Sequence, residues 1–322
     1  MRLVIFAFTL GLIATTFTVE AQQVGKMYRV GYLAWGNCPT IENSEYLQAL
    51  RELDYVEGRN LTFICRTAKH RYDALVPAAR ELVQLGVDVV AALSHPAARA
   101  ARAATSSVPI VMIASGDPVG SGLVASLGHP GWNVTGLTYY ATELTAKRLQ
   151  LLKEAVPQMT RVGVLHNPAV AYLAFLEDTR TGAKRLGLKL QVAVINEPED
   201  LPRAFQAFVH GEVGGVFVLP DLLLSDEARQ IAELALRYKL PTMAWGTWFA
   251  EAGCLISYSA KYGNMSRRLA ILTDKILKGA KPADIPVEQP TRFDLVVNLN
   301  TAKVLGIAIP RSLLLQADQV IR

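Results

Sequence analysis

The sequence predicts an α/β chain of two doubly wound parallel-sheet lobes joined by a hinge, and three observations carry that expectation. First, the chain repeats itself. Arg29-Val30-Gly31-Tyr32-Leu33 opens one copy and Arg161-Val162-Gly163-Val164-Leu165 opens the next. Near the end of each copy come Val108-Pro109-Ile110-Val111-Met112 and Leu240-Pro241-Thr242-Met243, at the same offset. Second, strand-like and helix-like segments alternate within each copy, the pattern of parallel sheets with right-handed crossovers. Third, the strands read as continuous apolar runs, such as Val87 to Leu93, as expected of a sheet covered on both faces.

The elements follow in matching order. In the first copy a strand at 29–33 leads to a helix near 44–53, a strand at 61–65, a helix at 72–85 and a strand at 87–93. That strand ends in a polar turn at Ser94, and Pro96 suits the first turn of a third helix running through Ala104. A strand at 109–114 closes the copy. The second copy repeats this with a strand at 161–165, a helix at 172–186, a strand at 188–195, a helix at 201–209, and strands at 215–219 and 241–245. Its third strand ends at Pro220-Asp221.

Composition bounds the function. Of 322 residues, 51% are hydrophobic and 19% charged, enough for a packed core and too apolar for a disordered chain. The net charge of +5 is interspersed, with no basic run, which argues against a nucleic-acid partner. Met1-Arg2, an apolar stretch to Thr18 and the small-residue site Val19-Glu20-Ala21 read as a secretory signal peptide over residues 1–21. No Cys stands near that point for a lipid anchor, so the expected product is a soluble periplasmic protein. Cys38, Cys65 and Cys254 allow one disulfide, with the pair left open, and their spacing fits no zinc site. Cys254, in the apolar run Gly253-Cys254-Leu255-Ile256, is expected to be a buried small hydrophobe.

In open parallel sheets ligands bind outside the carboxyl ends of the strands. The candidate site residues therefore lie in the loops there: Trp35, Ser94, His95, Ser115 and Asp117 in the first copy, and Asn167, Asp221 and Trp245 in the second. Ser94 stands where helix N–H groups can receive a carboxylate, or where it caps its own helix. Asp117 is expected chiefly to cap a short helix after Pro118. Asp221, with no basic neighbour in sequence, can receive a ligand ammonium or cap the segment that follows. Tyr32, Trp35, Tyr139, Tyr140, Trp245 and Trp248 lie at or near strand ends, where rings would suit an apolar or ring-bearing ligand. Motifs for catalysis are missing: Gly116 to Gly122 is neither a dinucleotide nor a phosphate loop, and there is no G-x-S-x-G or H-E-x-x-H. No catalytic residue, metal or cofactor is expected.

Several stretches carry a resemblance. They are Leu53-Asp54-Tyr55-Val56-Glu57-Gly58-Arg59-Asn60, Gly116-Asp117-Pro118-Val119 with Gly122-Leu123-Val124, and Pro130-Gly131-Trp132-Asn133-Val134-Thr135-Gly136. Others are Glu143-Leu144-Thr145-Ala146-Lys147-Arg148, Ile276 to Pro286, and Asn298-Leu299-Asn300-Thr301-Ala302-Lys303. From about residue 27 onward the chain resembles the ABC-transporter substrate-binding family that includes tryptophan- and other aromatic-amino-acid-type binding proteins. The resemblance implies a type I periplasmic-binding fold with three hinge crossovers, a partner permease and its ATPase, and ligand contacts from the loops at Ser94–Pro96, Ser115–Asp117 and Asp221. It also implies a cut at 27–140 plus 259–284 for lobe one and 141–258 plus 285–322 for lobe two. The chain departs from the family pattern at Trp132, where a second glycine is usual, and at His95, where a small residue is usual. The expected protein is a monomeric, non-enzymatic solute receptor for an amino-acid-like or aromatic, carboxylate-bearing molecule. An exported α/β enzyme and a ligand sensor of the same fold are the alternatives.

Overall fold

The computed structural model describes residues 26–139, 142–168, 173–261 and 265–322. The expected signal peptide and Tyr140 lie outside the described residues.

The first sheet is built from β1 (Tyr28–Ala34), β2 (Leu61–Thr67), β3 (Val89–Ala92), β4 (Ile110–Ala114) and β5 (Val134–Thr138). Its order is β2-β1-β3-β4-β5, and every pair is parallel. Three helices make its crossovers: α1 (Glu45–Glu52), α2 (Leu75–Gln84) and α3 (His95–Ala104). Beyond α4 (Thr142–Ala155), the second sheet repeats the plan with β6 (Arg161–His166), β7 (Lys189–Val194), β8 (Val216–Val218), β9 (Thr242–Ala244) and β10 (Ile256–Ala260). Its crossovers are α5 (Leu173–Arg185), α6 (Asp200–His210), α7 (Leu222–Asp226), α8 (Ala228–Arg237) and α9 (Thr247–Ala252). The order β10-β9-β8-β6-β7 mirrors the first sheet strand for strand, so the sequence repeat is a structural repeat.

The chain then returns. α10 (Met265–Leu277) packs its Leu269, Leu272 and Ile276 against the first sheet and α1. Two hydrogen bonds fix it there, Tyr46 hydroxyl with Thr273 hydroxyl at 3.0 Å and Tyr55 hydroxyl to Asp274 at 2.9 Å. The last segment holds β11 (Phe293–Asn298), α11 (Leu299–Leu305), α12 (Arg311–Gln316) and β12 (Gln319–Ile321), which extend the second sheet beyond β10. Here the all-parallel expectation fails: β11 runs antiparallel to β10. The reason is where the chain enters. β10 ends at Ala260 as the chain leaves for α10, and β11 begins beside it at Phe293, so it has to run the other way.

Both faces of both sheets are covered. In the first sheet Val90 and Ala92 belong to one apolar cluster and Val89 and Ala91 to the opposite one. In the second, Val164 and Met243 face one cluster while Leu165 and Ala244 face the other. Burial on both faces makes the central strands read as apolar runs, while the edge strands β2 and β7, only partly buried, keep polar residues. The crossover that returns from α10 to β11 is pinned to β5: Thr138 N–H donates to the Glu288 carbonyl and Glu288 N–H to the Gly136 carbonyl, both at 2.9 Å. Gly136 itself is at φ +141°, and a Cβ there would lie 2.1 Å from the Met112 carbonyl oxygen, so only glycine fits.

The cysteine choice is resolved as Cys38–Cys65, while Cys254 is fully buried. The helix expected after Pro118 is instead a turn over residues 118–122, stapled by Val119 N–H to the Asp117 carboxylate at 2.9 Å and Ser121 N–H to the Asp117 carbonyl at 3.1 Å. None of the helices among the described residues is long and apolar enough to cross a membrane.

Candidate functional site

All eight candidate residues lie at carboxyl ends of strands, on neighbouring strands of each sheet. Trp35, Ser94 and His95, and Ser115 with Asp117 follow β1, β3 and β4, which are adjacent; Asn167, Asp221 and Trp245 follow β6, β8 and β9, which are adjacent too. Two side-chain bridges show that these ends face each other. At one, Tyr72, Trp35 and His70 of the first lobe reach α7 of the second. At the other, the Tyr139 ring after β5 stacks on the Trp245 ring after β9, with centroids 6.2 Å apart and planes within 11°. Ser94 and Ser115 follow β3 and β4, the strands between these two bridges, and both are buried.

The first bridge centres on Asp221, which is 3% exposed. One carboxylate oxygen accepts from Leu224 N–H at 3.0 Å and so caps α7. The other accepts from the Tyr72 hydroxyl at 2.6 Å. Burial raises its pKa, opposed by hydrogen bonds from Tyr72, the first α7 amides and the Asn167 side chain. Asn167 and Asp221 thus meet, as adjacent strands require. Trp35 lies on Tyr72 with centroids 4.5 Å apart, and its indole N–H donates to Asp226 at 2.7 Å.

The second group lies between the bridges on the first lobe. Ser94 caps α3 by accepting from Ala97 N–H at 3.2 Å. His95 is the first residue of α3, not a loop residue, and is wholly buried. A Cβ on Gly116 would sit 3.0 Å from its ring, so the glycine lets the β4 loop close over the imidazole. Burial, aided by the nearby Arg99 charge and opposed by Asp117, pulls its pKa down to about 4, and the ring is neutral at physiological pH. Asp117 turns into its own loop, where its carboxylate accepts from Val119 N–H inside the turn, so it caps no helix as had been expected of it.

Other expectations change. Tyr32 packs inside the first lobe against Tyr46 and Phe63, and burial pushes its hydroxyl up to about 12. Trp132 precedes β5, at the opposite end of the sheet from the candidate loops, and lies under the Arg102 guanidinium from the last turn of α3. It is therefore remote from the pocket. Sequence reasoning missed Tyr72, His70 and Asp226. The rule of carboxyl-end loops would have found the first two had the loop after β2 been counted with those after β1, β3 and β4. Asp226 carried no such signal, since it stands at the far end of a helix.

Comparison with known proteins fits this geometry. A profile of the family described as ABC transporter substrate binding protein matches residues 42–321. The tyrosine-binding protein of Clostridioides difficile is 27% identical over 272 residues, covering 84% of this chain and 78% of that protein. A conserved domain protein from Vibrio cholerae superposes with a TM-score of 0.85 at 30% identity, covering 92% of this chain and all of the other. The ABC domain in complex with L-Trp from Streptococcus pneumoniae superposes with a TM-score of 0.83 at 25% identity over the same shares.

Proposed function

Because the chain belongs to the ABC transporter substrate binding protein family, we propose that the solute it captures between its lobes for an importer is an aromatic L-amino acid. The observation that carries this reading is the surroundings of Asp221. A buried carboxylate, bonded across the cleft by Tyr72, stands at the tip of β8 between the Asn167 and Trp245 loops; Trp35 stacks on that Tyr72, and Tyr139 stacks on Trp245 at the second bridge. A carboxylate so placed would receive an α-ammonium. The amides that begin α3 behind Ser94 would receive the α-carboxylate, and the rings would take the side chain. The names of the tyrosine-binding relative and the L-Trp complex support the same class.

On this reading the chain is a receptor and not an enzyme. It is exported by residues 1–21 to the periplasm, acts as a monomer without metal or cofactor, and delivers to a permease driven by an ATPase. The lobes divide at 27–140 plus 259–284 and 141–258 plus 285–322. The test is a thermal-shift panel of all proteinogenic amino acids, with product analysis of any hit. L-Tyrosine, L-tryptophan or L-phenylalanine should raise the melting temperature by the equivalent of about 2.7 kcal/mol at a hundredfold excess over Kd. Stabilisation by aliphatic amino acids alone would overturn the aromatic assignment, and consumption of the hit would overturn the receptor reading.

A further inference from the structure

The helix α7 is gripped by the opposite lobe at both ends. Its capping residue Asp221 accepts the Tyr72 hydroxyl, and five residues on, its last residue Asp226 accepts from two donors at one oxygen. Those donors are the Trp35 indole N–H at 2.7 Å and His70 Nδ1 at 2.8 Å. The two contacts differ in character. Asp221 is buried, whereas the side chains of Asp226 and His70 are 40% and 55% exposed, which puts this second grip at the rim of the cleft.

The first lobe is built to hold that rim. Trp35 and His70 come from the loops after the adjacent parallel strands β1 and β2, and their rings meet edge to face at 5.9 Å. The Cys38–Cys65 disulfide ties the first loop to β2. His70 N–H donates to the Trp35 carbonyl at 2.9 Å. A Cβ on Gly36 would come within 2.6 Å of the His70 ring, so this glycine lets the imidazole cross its own loop toward Asp226. Two donors, each fixed by its own loop, thus converge on one carboxylate of the other lobe.

We propose that Asp226 is a positioning residue that latches the closed state through Trp35 and His70 and so sets how long the solute stays. Opening the lobes breaks both bonds at once and frees the carboxylate to water. The latch therefore acts on release and on the closed fraction, and Asp226 itself touches no solute. It rests on the reading above that the solute is trapped by closure, though not on which solute that is.

The experiment compares the full mature chain with Asp226→Asn, Trp35→Phe and the double variant. Trp35→Phe keeps a ring on Tyr72 but deletes the N–H, and Glu227→Gln serves as a charge control one residue along. Release of tritiated L-tyrosine is followed by rapid dilution, and small-angle scattering is recorded without ligand. An exposed charge-assisted bond is worth about a fivefold change in rate. Asp226→Asn should release solute about fivefold faster, Trp35→Phe by less because the His70 bond remains, the double variant no faster than Asp226→Asn alone, and Glu227→Gln at the parent rate. Both singles should also scatter as more extended particles. Parent release rates, or effects that multiply in the double variant, overturn the latch. If the parent chain binds no L-tyrosine, scattering decides alone: extended variants uphold the latch while the aromatic assignment falls, and unchanged scattering overturns it.

Discussion

Replacing Asp221 with asparagine should separate binding from folding in opposite directions. The side chain is 3% exposed, and burial raises its pKa. A raised folded-state pKa means that ionisation is harder in the folded than in the unfolded chain. Its stabilising contribution is thus complete below the unfolded pKa of a carboxylate and is lost as pH rises through the folded value. At neutral pH the carboxylate burdens the fold. Asparagine removes that burden, keeps an oxygen to accept from Leu224 N–H, and offers an amide to the Tyr72 oxygen. One hydrogen bond of about 0.5–1.5 kcal/mol is weakened while the desolvation cost disappears, so the ligand-free melting temperature should hold or rise. Binding is different, because a solute ammonium loses a charge-assisted partner worth about 1.5–3 kcal/mol, which raises Kd about 10- to 150-fold. Calorimetric titration with L-tyrosine and L-tryptophan, beside ligand-free thermal unfolding at pH 7, measures both. A melting temperature lowered by several degrees with Kd unchanged would refute the reasoning and leave Asp221 as only the cap of α7.

The remaining predictions concern the frame around the site. Reducing Cys38–Cys65, whose partners stand 27 residues apart, should cost about 3.5 kcal/mol of stability by the chain-entropy argument and weaken solute binding by freeing the Trp35 loop; paired denaturant titrations with and without a thiol reductant check this. Gly136→Ala should destabilise by more than about 3 kcal/mol or abolish folding, since its Cβ would meet the Met112 backbone where the hinge segment pairs with β5; soluble yield and thermal unfolding read it. His95, with its folded pKa down at about 4, contributes stability that is whole above its unfolded value near 6.5 and is lost as pH falls toward 4. Denaturant midpoints between pH 7 and pH 4 should therefore fall less steeply in His95→Gln than in the parent chain.

The sequence by itself determined the duplicated lobes, because parallel strands covered on both faces leave unbroken apolar runs that repeat with the fold. It determined the loops at which Asn167, Asp221 and Trp245 stand, since strand ends are marked by the switch from apolar to polar residues. It could also mark Ser94 as a cap, which is a local matter of one hydroxyl and the amides three residues on. What the tertiary structure alone decided depends on residues far apart in the chain. Cys38 met Cys65 and not Cys254 because β1 and β2 are neighbours and Cys254 is sealed in the second lobe. Trp132 stands at the amino end of its strand, away from the candidate loops, which composition cannot show. Strand β11 turned antiparallel because of where the chain re-enters the sheet. The contacts of Tyr72 with Asp221 and of Trp35 and His70 with Asp226 span 149 to 191 residues, and no local pattern encodes them. They exist only when two independently formed sheets bring their strand tips together.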